Sequence, residues 1–200
     1  PSQLSLSQKS KDLVRASRDV VDQVLVTGKT VYGVNTGFGR MANQRISSDK
    51  LRQLQVNLLR SHAAGTGKFF SAKTVRLILL LKINSLLRGY SGIRLEIIEA
   101  LILFYNNGLM PAIRERGSVG ASGDLAPLAD LALPLIGEGS FLTEDGGTVK
   151  ALDVLDSQTI SVVELKEKEG LSLINGTQVS TAMAIEAILQ IKDLFYTISA

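Results

Sequence analysis

Leu13, Ala16, Val20, Val21 and Val24 recur at the three- and four-residue spacing of an amphipathic helix, and Gly28 supplies its stop. A glycine-rich loop follows, YGVNTGFGR over residues 32–40. Ser47 or Ser48 then offers a cap to a second helix with the stripe Leu51, Leu54 and Leu58, ended by Ser61-His62-Ala63-Ala64-Gly65. Ser71 is the candidate cap of a third helix over 72–87, apolar on nearly every face and so expected in the interior. Gly89 and Gly92 separate it from a fourth over 95–105, which stops at Asn106-Asn107-Gly108. Residues 114–123, RERGSVGASG, read as a loop, and 125–136 as helical within the limits set by Pro127 and Pro134. Asp145-Gly146-Gly147, between Phe141-Leu142-Thr143 and Thr148-Val149, predicts a hairpin. A short helix over 151–158 and a strand over 160–163 follow more weakly. Asn175-Gly176-Thr177 opens a long final helix with Val179, Met183, Ile188, Ile191, Leu194 and Phe195 inward. No repeat and no βαβ alternation occurs, so the expected class is mainly α with short β pieces.

Two hundred residues suffice for one domain with a core, or for one domain and part of a second. A mean hydropathy of +0.20 is high for a soluble chain, so apolar surface is expected to be covered by parts or partners beyond this sequence. The absence of cysteine excludes a disulfide framework, a thiolate metal site and a cysteine nucleophile, and fits a reducing, cytoplasmic compartment. The net charge of +3 comes from dispersed lysines and arginines without a basic block, which argues against nucleic acid as a partner. The most apolar stretch, 75–83, is interrupted by Arg76 and Lys82 and is too short to span a bilayer, and no charged-then-apolar leader opens the chain. The chain starts at Pro1 and stops straight after a helical pattern without a stop signal, so it reads as a piece of a longer one.

The most unusual segment is GSVGASGDLAPLAD, residues 117–130. Its glycines at spacing three leave the backbone almost bare of side chains. One functional reading has the glycine amides cradle a phosphate ahead of a helix, but a phosphate loop continues Gly-Lys-Ser/Thr, and here Asp124-Leu125 follow Gly123. In another, the Gly123 nitrogen attacks the Ala121 carbonyl carbon. Loss of two waters, one carrying the Ser122 hydroxyl, leaves a methylidene on a five-membered imidazolone. The structural alternative is a turn with Ser122 or Asp124 as helix N-cap, and on local residues alone that turn is the simplest reading.

The triplet belongs to one of five motifs that run in order along the chain: YGVNTGFG at 32–39, NLLRSHAAGTG at 57–67, RGYSGIR at 88–94, GSVGASGDLAPLA at 117–129 and LINGTQ at 173–178. Together they resemble the histidine/phenylalanine/tyrosine ammonia-lyase family, whose Ala-Ser-Gly forms the 4-methylidene-imidazol-5-one (MIO) group. The resemblance implies the mainly α, aspartase/fumarase-like helical fold. Residues 1–172 would form the N-terminal MIO-bearing domain, and 173–200 the first helix of a central helical bundle. It implies a homotetramer with shared active sites, a small amino-acid substrate, neither metal nor external cofactor, and no role for nucleic acid or membrane.

Each candidate residue has a plainer reading beside the one implied. Tyr32 among glycines is usually loop packing; by resemblance it is the catalytic tyrosine, base or proton relay at the substrate's β-carbon. Gly39 matches a position whose backbone approaches the substrate. His62, the only histidine, reads locally as a structural hydrogen-bonder. By resemblance, Ser61-His62 sits where the family sets selectivity, and a polar pair there favours the imidazole of L-histidine, with urocanate as product. Asn175 either caps the final helix or, by resemblance, reaches the substrate or the MIO group through its amide. Ala121, Ser122 and Gly123 are the cofactor's precursors. Asp124 and Leu125 are expected to shape that loop, and Arg88 and Arg94 to be structural or at a subunit contact. The alternatives are a phenylalanine or tyrosine ammonia-lyase, an aminomutase, and a non-catalytic helical oligomerisation fragment.

Overall fold

The computed structural model describes residues 3–38 and 46–199. Helix α1 spans Gln8–Thr27; the Ser7 side chain accepts from the Ser10 N–H, and Gly28 closes the helix in the left-handed region. Its buried stripe is Val14, Arg18 and Val21, while the expected Leu13 and Val20 are exposed. The stripe was hidden by a charge: Arg18 is buried because its guanidinium finds Asp22, Glu167 and two carbonyls.

Helix α2 spans Ser48–His62 and buries Leu51, Gln55, Leu58 and Leu59, with Leu54 only half-buried. Ser47 occupies the N-cap position without making a side-chain cap bond. Strand β1, Thr66–Phe69, leads to α3, Ala72–Leu86, capped by Ser71. As expected for a helix apolar on most faces, α3 is central, packing on α4 (Leu95–Asn107) and on the final helix. Ile78, Leu79, Ile83, Ile97, Ile98 and Leu101 form the heart of the core.

The segment 114–123 is not all loop. Arg114–Arg116 forms β2, antiparallel to β1 with Thr66 opposite Arg116, and the Arg114 guanidinium lies 3.9 Å from the Phe69 ring centre. Helix α5, Leu125–Ala132, gives way to a 3-10 turn at Leu133–Ile136, where Pro134 sits in the first turn. The hairpin forms as expected, β3 (Ser140–Leu142) against β4 (Thr148–Lys150), and places Phe141 edge-on to Phe104. Helix α6 spans Ala151–Ser157.

The strand expected at 160–163 is absent: the stretch has no regular secondary structure, and the Val163 N–H donates to the Leu135 carbonyl of the 3-10 turn instead of to a strand. A short helix that periodicity did not reveal, α7 at Glu169–Ile174, follows and packs between α2 and α5. Helix α8, Gln178–Ser199, buries only Val179 and Ala182. Met183, Ile188, Ile191, Leu194 and Phe195, expected inward, are all at least half exposed. The apolar face exists, but past the first turns no described element reaches it. Among the described residues no helix is long and apolar enough to cross a membrane.

Candidate active site

Ala121, Ser122 and Gly123 form three successive bends ahead of α5, and the first two are exposed. Gly123 is buried, with φ +117. A Cβ placed on it would lie 2.6 Å from the Gly176 carbonyl oxygen and 2.9 Å from the Gly176 nitrogen, so its Cα rests on the backbone between α7 and α8. Both the angle and the contact demand glycine. Among the described residues no acceptor engages the Gly123 N–H. Gly123→Ala is expected to cost about 2 kcal/mol or more, because strain and a main-chain clash coincide. Urea denaturation measures this, and a neutral result would contradict the packing.

Asp124 follows at the N-cap position of α5 but makes no cap bond there. Its N–H donates to the Gly176 carbonyl at 2.7 Å. Its fully buried carboxylate accepts from Ser118 Oγ at 2.7 Å, Ser180 N at 2.8 Å and Ser180 Oγ at 2.6 Å. Burial acts to raise its pKa, yet the Ser180 and Ser118 hydrogen bonds outweigh that and hold it below the usual carboxylate range. One carboxylate thus ties the beginning of the loop to the first turn of α8.

Asn175 does not cap α8. It is the C-cap of α7, its N–H bonding the Leu171 carbonyl, and its side chain is exposed. It immediately precedes the glycine on which Gly123 rests, so this residue and the triplet are brought together. Its carbonyl, with that of Ser172, accepts from Lys82 Nζ, at 3.2 and 2.8 Å. Lys82 went unnoticed in sequence as a candidate site residue. The signal available was a lysine within an apolar helix, with no acidic residue three or four positions away.

His62 ends α2, half-buried, with Nδ1 2.8 Å from the Leu58 carbonyl and 3.1 Å from Ser61 Oγ. A carbonyl only accepts, so Nδ1 carries the proton and Nε2 of the neutral ring is left as an acceptor. Three residues on, Gly65 lies against the base of the candidate loop: a Cβ placed on Gly117 would stand 3.2 Å from the Gly65 Cα. Tyr32 is 59% exposed and meets Phe38 edge-on at 6.0 Å between ring centres. The loop beneath it is held by buried Asn35, which bonds the Val31 N–H and the Lys29 carbonyl, and by buried Thr36. Gly33 touches Leu171 of α7. The short helix α7 therefore links the Tyr32 loop at its middle to the triplet at its end. Neither Tyr32 nor His62 hydrogen-bonds to the triplet among the described residues. Gly39 lies outside the described residues. Arg94 is structural, paired with buried Glu169 through two hydrogen bonds.

The sequence and fold both have known counterparts. Residues 1–200 match the family model described as aromatic amino acid lyase. The chain is 53% identical over 192 residues to a histidine ammonia-lyase of Legionella pneumophila, covering 96% of this chain and 38% of that protein. Its structure is similar to a histidine ammonia-lyase from Trypanosoma cruzi (TM-score 0.86, 38% identity, 94% of this chain and 35% of the other). It is also similar to a phenylalanine aminomutase from Pantoea agglomerans (TM-score 0.91, 35% identity, 98% and 38%). The chain spans about 38% of the length of the curated relatives it matches. With a glycine-floored Ala-Ser-Gly loop, a matching helical fold and a family model that runs from end to end, the chain belongs to the aromatic amino acid lyases.

Proposed function

We propose that the protein is an ammonia-lyase that converts L-histidine to urocanate and ammonia, using an MIO group made from its own Ala121-Ser122-Gly123. The observation that carries this reading is the setting of the triplet: two exposed residues followed by a buried glycine at positive φ, its nitrogen unengaged among the described residues and its Cα against Gly176. These residues fit the group, because ring closure joins the Gly123 nitrogen to the Ala121 carbonyl carbon and needs a residue without a side chain at 123. Once formed, the group supplies an electrophile, which the twenty side chains lack.

The chain's own residues supply the rest. Tyr32, presented outward from a stiff loop, takes the role of proton relay at the substrate's β-carbon. His62, with its Nδ1 proton tied to the Leu58 carbonyl, offers Nε2 as the acceptor for an imidazole N–H. Asn175, exposed and directly before the Gly176 on which Gly123 packs, takes the role of bonding substrate through its amide. Gly39 belongs to the same proposed site. Residues 1–172 would form the cofactor-bearing domain and 173–200 open a central helical bundle. In the whole protein we place this bundle in a cytoplasmic homotetramer whose subunits share active sites. The uncovered apolar face of α8 supports that arrangement.

An aminomutase, which returns ammonia to the β-carbon, is the rival reading, supported by the fold likeness to the Pantoea enzyme. Curated relatives named histidine ammonia-lyase at 52% and 53% identity favour the lyase. The full-length protein is expected to release urocanate from histidine faster than cinnamate from phenylalanine. His62→Leu should lower kcat/KM for histidine by roughly tenfold or more. Faster cinnamate release by the parent enzyme would overturn the substrate assignment, and an accumulating β-amino acid would replace lyase by mutase.

A further inference from the structure

Lys82 lies in the middle of α3 at 1% exposure. Among the described residues its ammonium meets only main-chain oxygens, those of Ser172 and Asn175. A buried ammonium without a counter-charge is unfavourable, and burial draws its pKa down to about 7. An aliphatic side chain would fill the same space without that cost, so the ammonium's distinctive contribution is geometric. Its acceptors are the last carbonyls of α7, which have no partner within the helix.

One of those acceptors leads straight to the triplet. The Asn175 carbonyl and the Gly176 N–H are the two ends of a single peptide plane. Lys82 grips the oxygen of that plane at 3.2 Å, and Gly123 packs against its nitrogen. The next carbonyl, that of Gly176, accepts from the Asp124 N–H. Gly176 itself has φ +151 and a glycine's freedom, so its own geometry does not prevent the plane from turning.

We infer that Lys82 is a positioning residue for the candidate cofactor loop: its ammonium fixes the Asn175–Gly176 peptide, the floor on which Gly123 is held for ring closure. The inference rests on the proposed function. It assigns no contact with substrate to Lys82.

The test uses full-length protein carrying Lys82→Met, which keeps the aliphatic stem, or Lys82→Arg, which keeps a cation with several donors. Leu101→Ala, a core truncation in α4, is the control for lost stability. The cyclised fraction is read from the mass of the peptide containing residues 117–130, which falls by two waters, and from near-ultraviolet absorbance. Thermal melting is followed in parallel. Lys82→Met is expected to stay folded with the cyclised fraction lowered at least about fivefold, since two carbonyls lose their donor and the floor its anchor. Lys82→Arg should recover part of the loss, and Leu101→Ala should melt earlier yet cyclise like the parent. Full cyclisation in Lys82→Met overturns the inference, as does an equal loss in Leu101→Ala. If Lys82→Met does not fold, Lys82→Gln is held to the same criterion. An uncyclised parent would instead sink the proposed function, so the two failures are distinguishable.

Discussion

Ser122→Ala is expected to leave a folded protein with no MIO absorbance, no loss of the second water from the loop peptide, and at least about a thousandfold less ammonia release. The reasoning is chemical. Ring closure between residues 123 and 121 expels the Ala121 carbonyl oxygen as water and could proceed with any small residue between them. The methylidene needs a second elimination, of the hydroxyl on the middle residue's β-carbon, and alanine has none to lose. The rest of the loop has no reason to respond. Ser122 is exposed, and the loop's ties run through Gly123, Asp124 and Ser118, so stability should change by less than about 0.5 kcal/mol. Peptide mass, absorbance and turnover of the full-length variant check the three parts separately. Parent-level turnover by Ser122→Ala would remove the triplet from the mechanism altogether.

The features legible in the sequence are the local ones. Gly28 and Ser71 mark helix ends because one residue decides a cap, and both sit where expected. The Asp145-Gly146-Gly147 turn announces its hairpin because the pairing closes within a few residues. Pairing of β1 with β2 joins Thr66 to Arg116 across fifty positions, and neither short fragment alternates enough to announce it. Helix α7 is six residues long, too short for a 3.6-residue period to show.

Patterns also mislead where burial depends on something absent from the pattern. On α1 the inward stripe contains Arg18, which hydropathy scores as surface. On α8 a sound apolar stripe has no described surface to face. The candidate site divides in the same way. The triplet's own motif and its four companions are readable as strings. That Gly123 needs its missing side chain because of Gly176, or that Lys82 holds that glycine's peptide, follows only from residues more than fifty positions apart meeting in space.

A second large effect is expected in the frame that carries the site. Glu169, fully buried at the start of α7, receives Arg94 Nε at 2.7 Å and Nη2 at 2.8 Å, together with the backbone N–H groups of Arg94 and Lys166. This two-pronged pair joins the N-terminus of α4 to the helix whose far end is Asn175. Arg94→Met removes the cation and leaves the carboxylate in place. The Arg18 guanidinium, 4.0 Å from Glu169 and already shared with Asp22 and Glu167, is a poor substitute. A buried charge stripped of its partner costs about 3–5 kcal/mol, whereas replacing both members by apolar groups costs much less. Arg94→Met should therefore lower unfolding stability by that amount in urea at an unchanged slope. The double variant Arg94→Met, Glu169→Met should lie nearer the parent than the sum of the two single losses. If Arg94→Met costs under about 1 kcal/mol, the pair is not what fastens α7 to α4. If it costs the full amount, the loosening starts at Glu169 and passes along a six-residue helix directly to Asn175 and the floor of the candidate loop, so the cyclised fraction should fall with it.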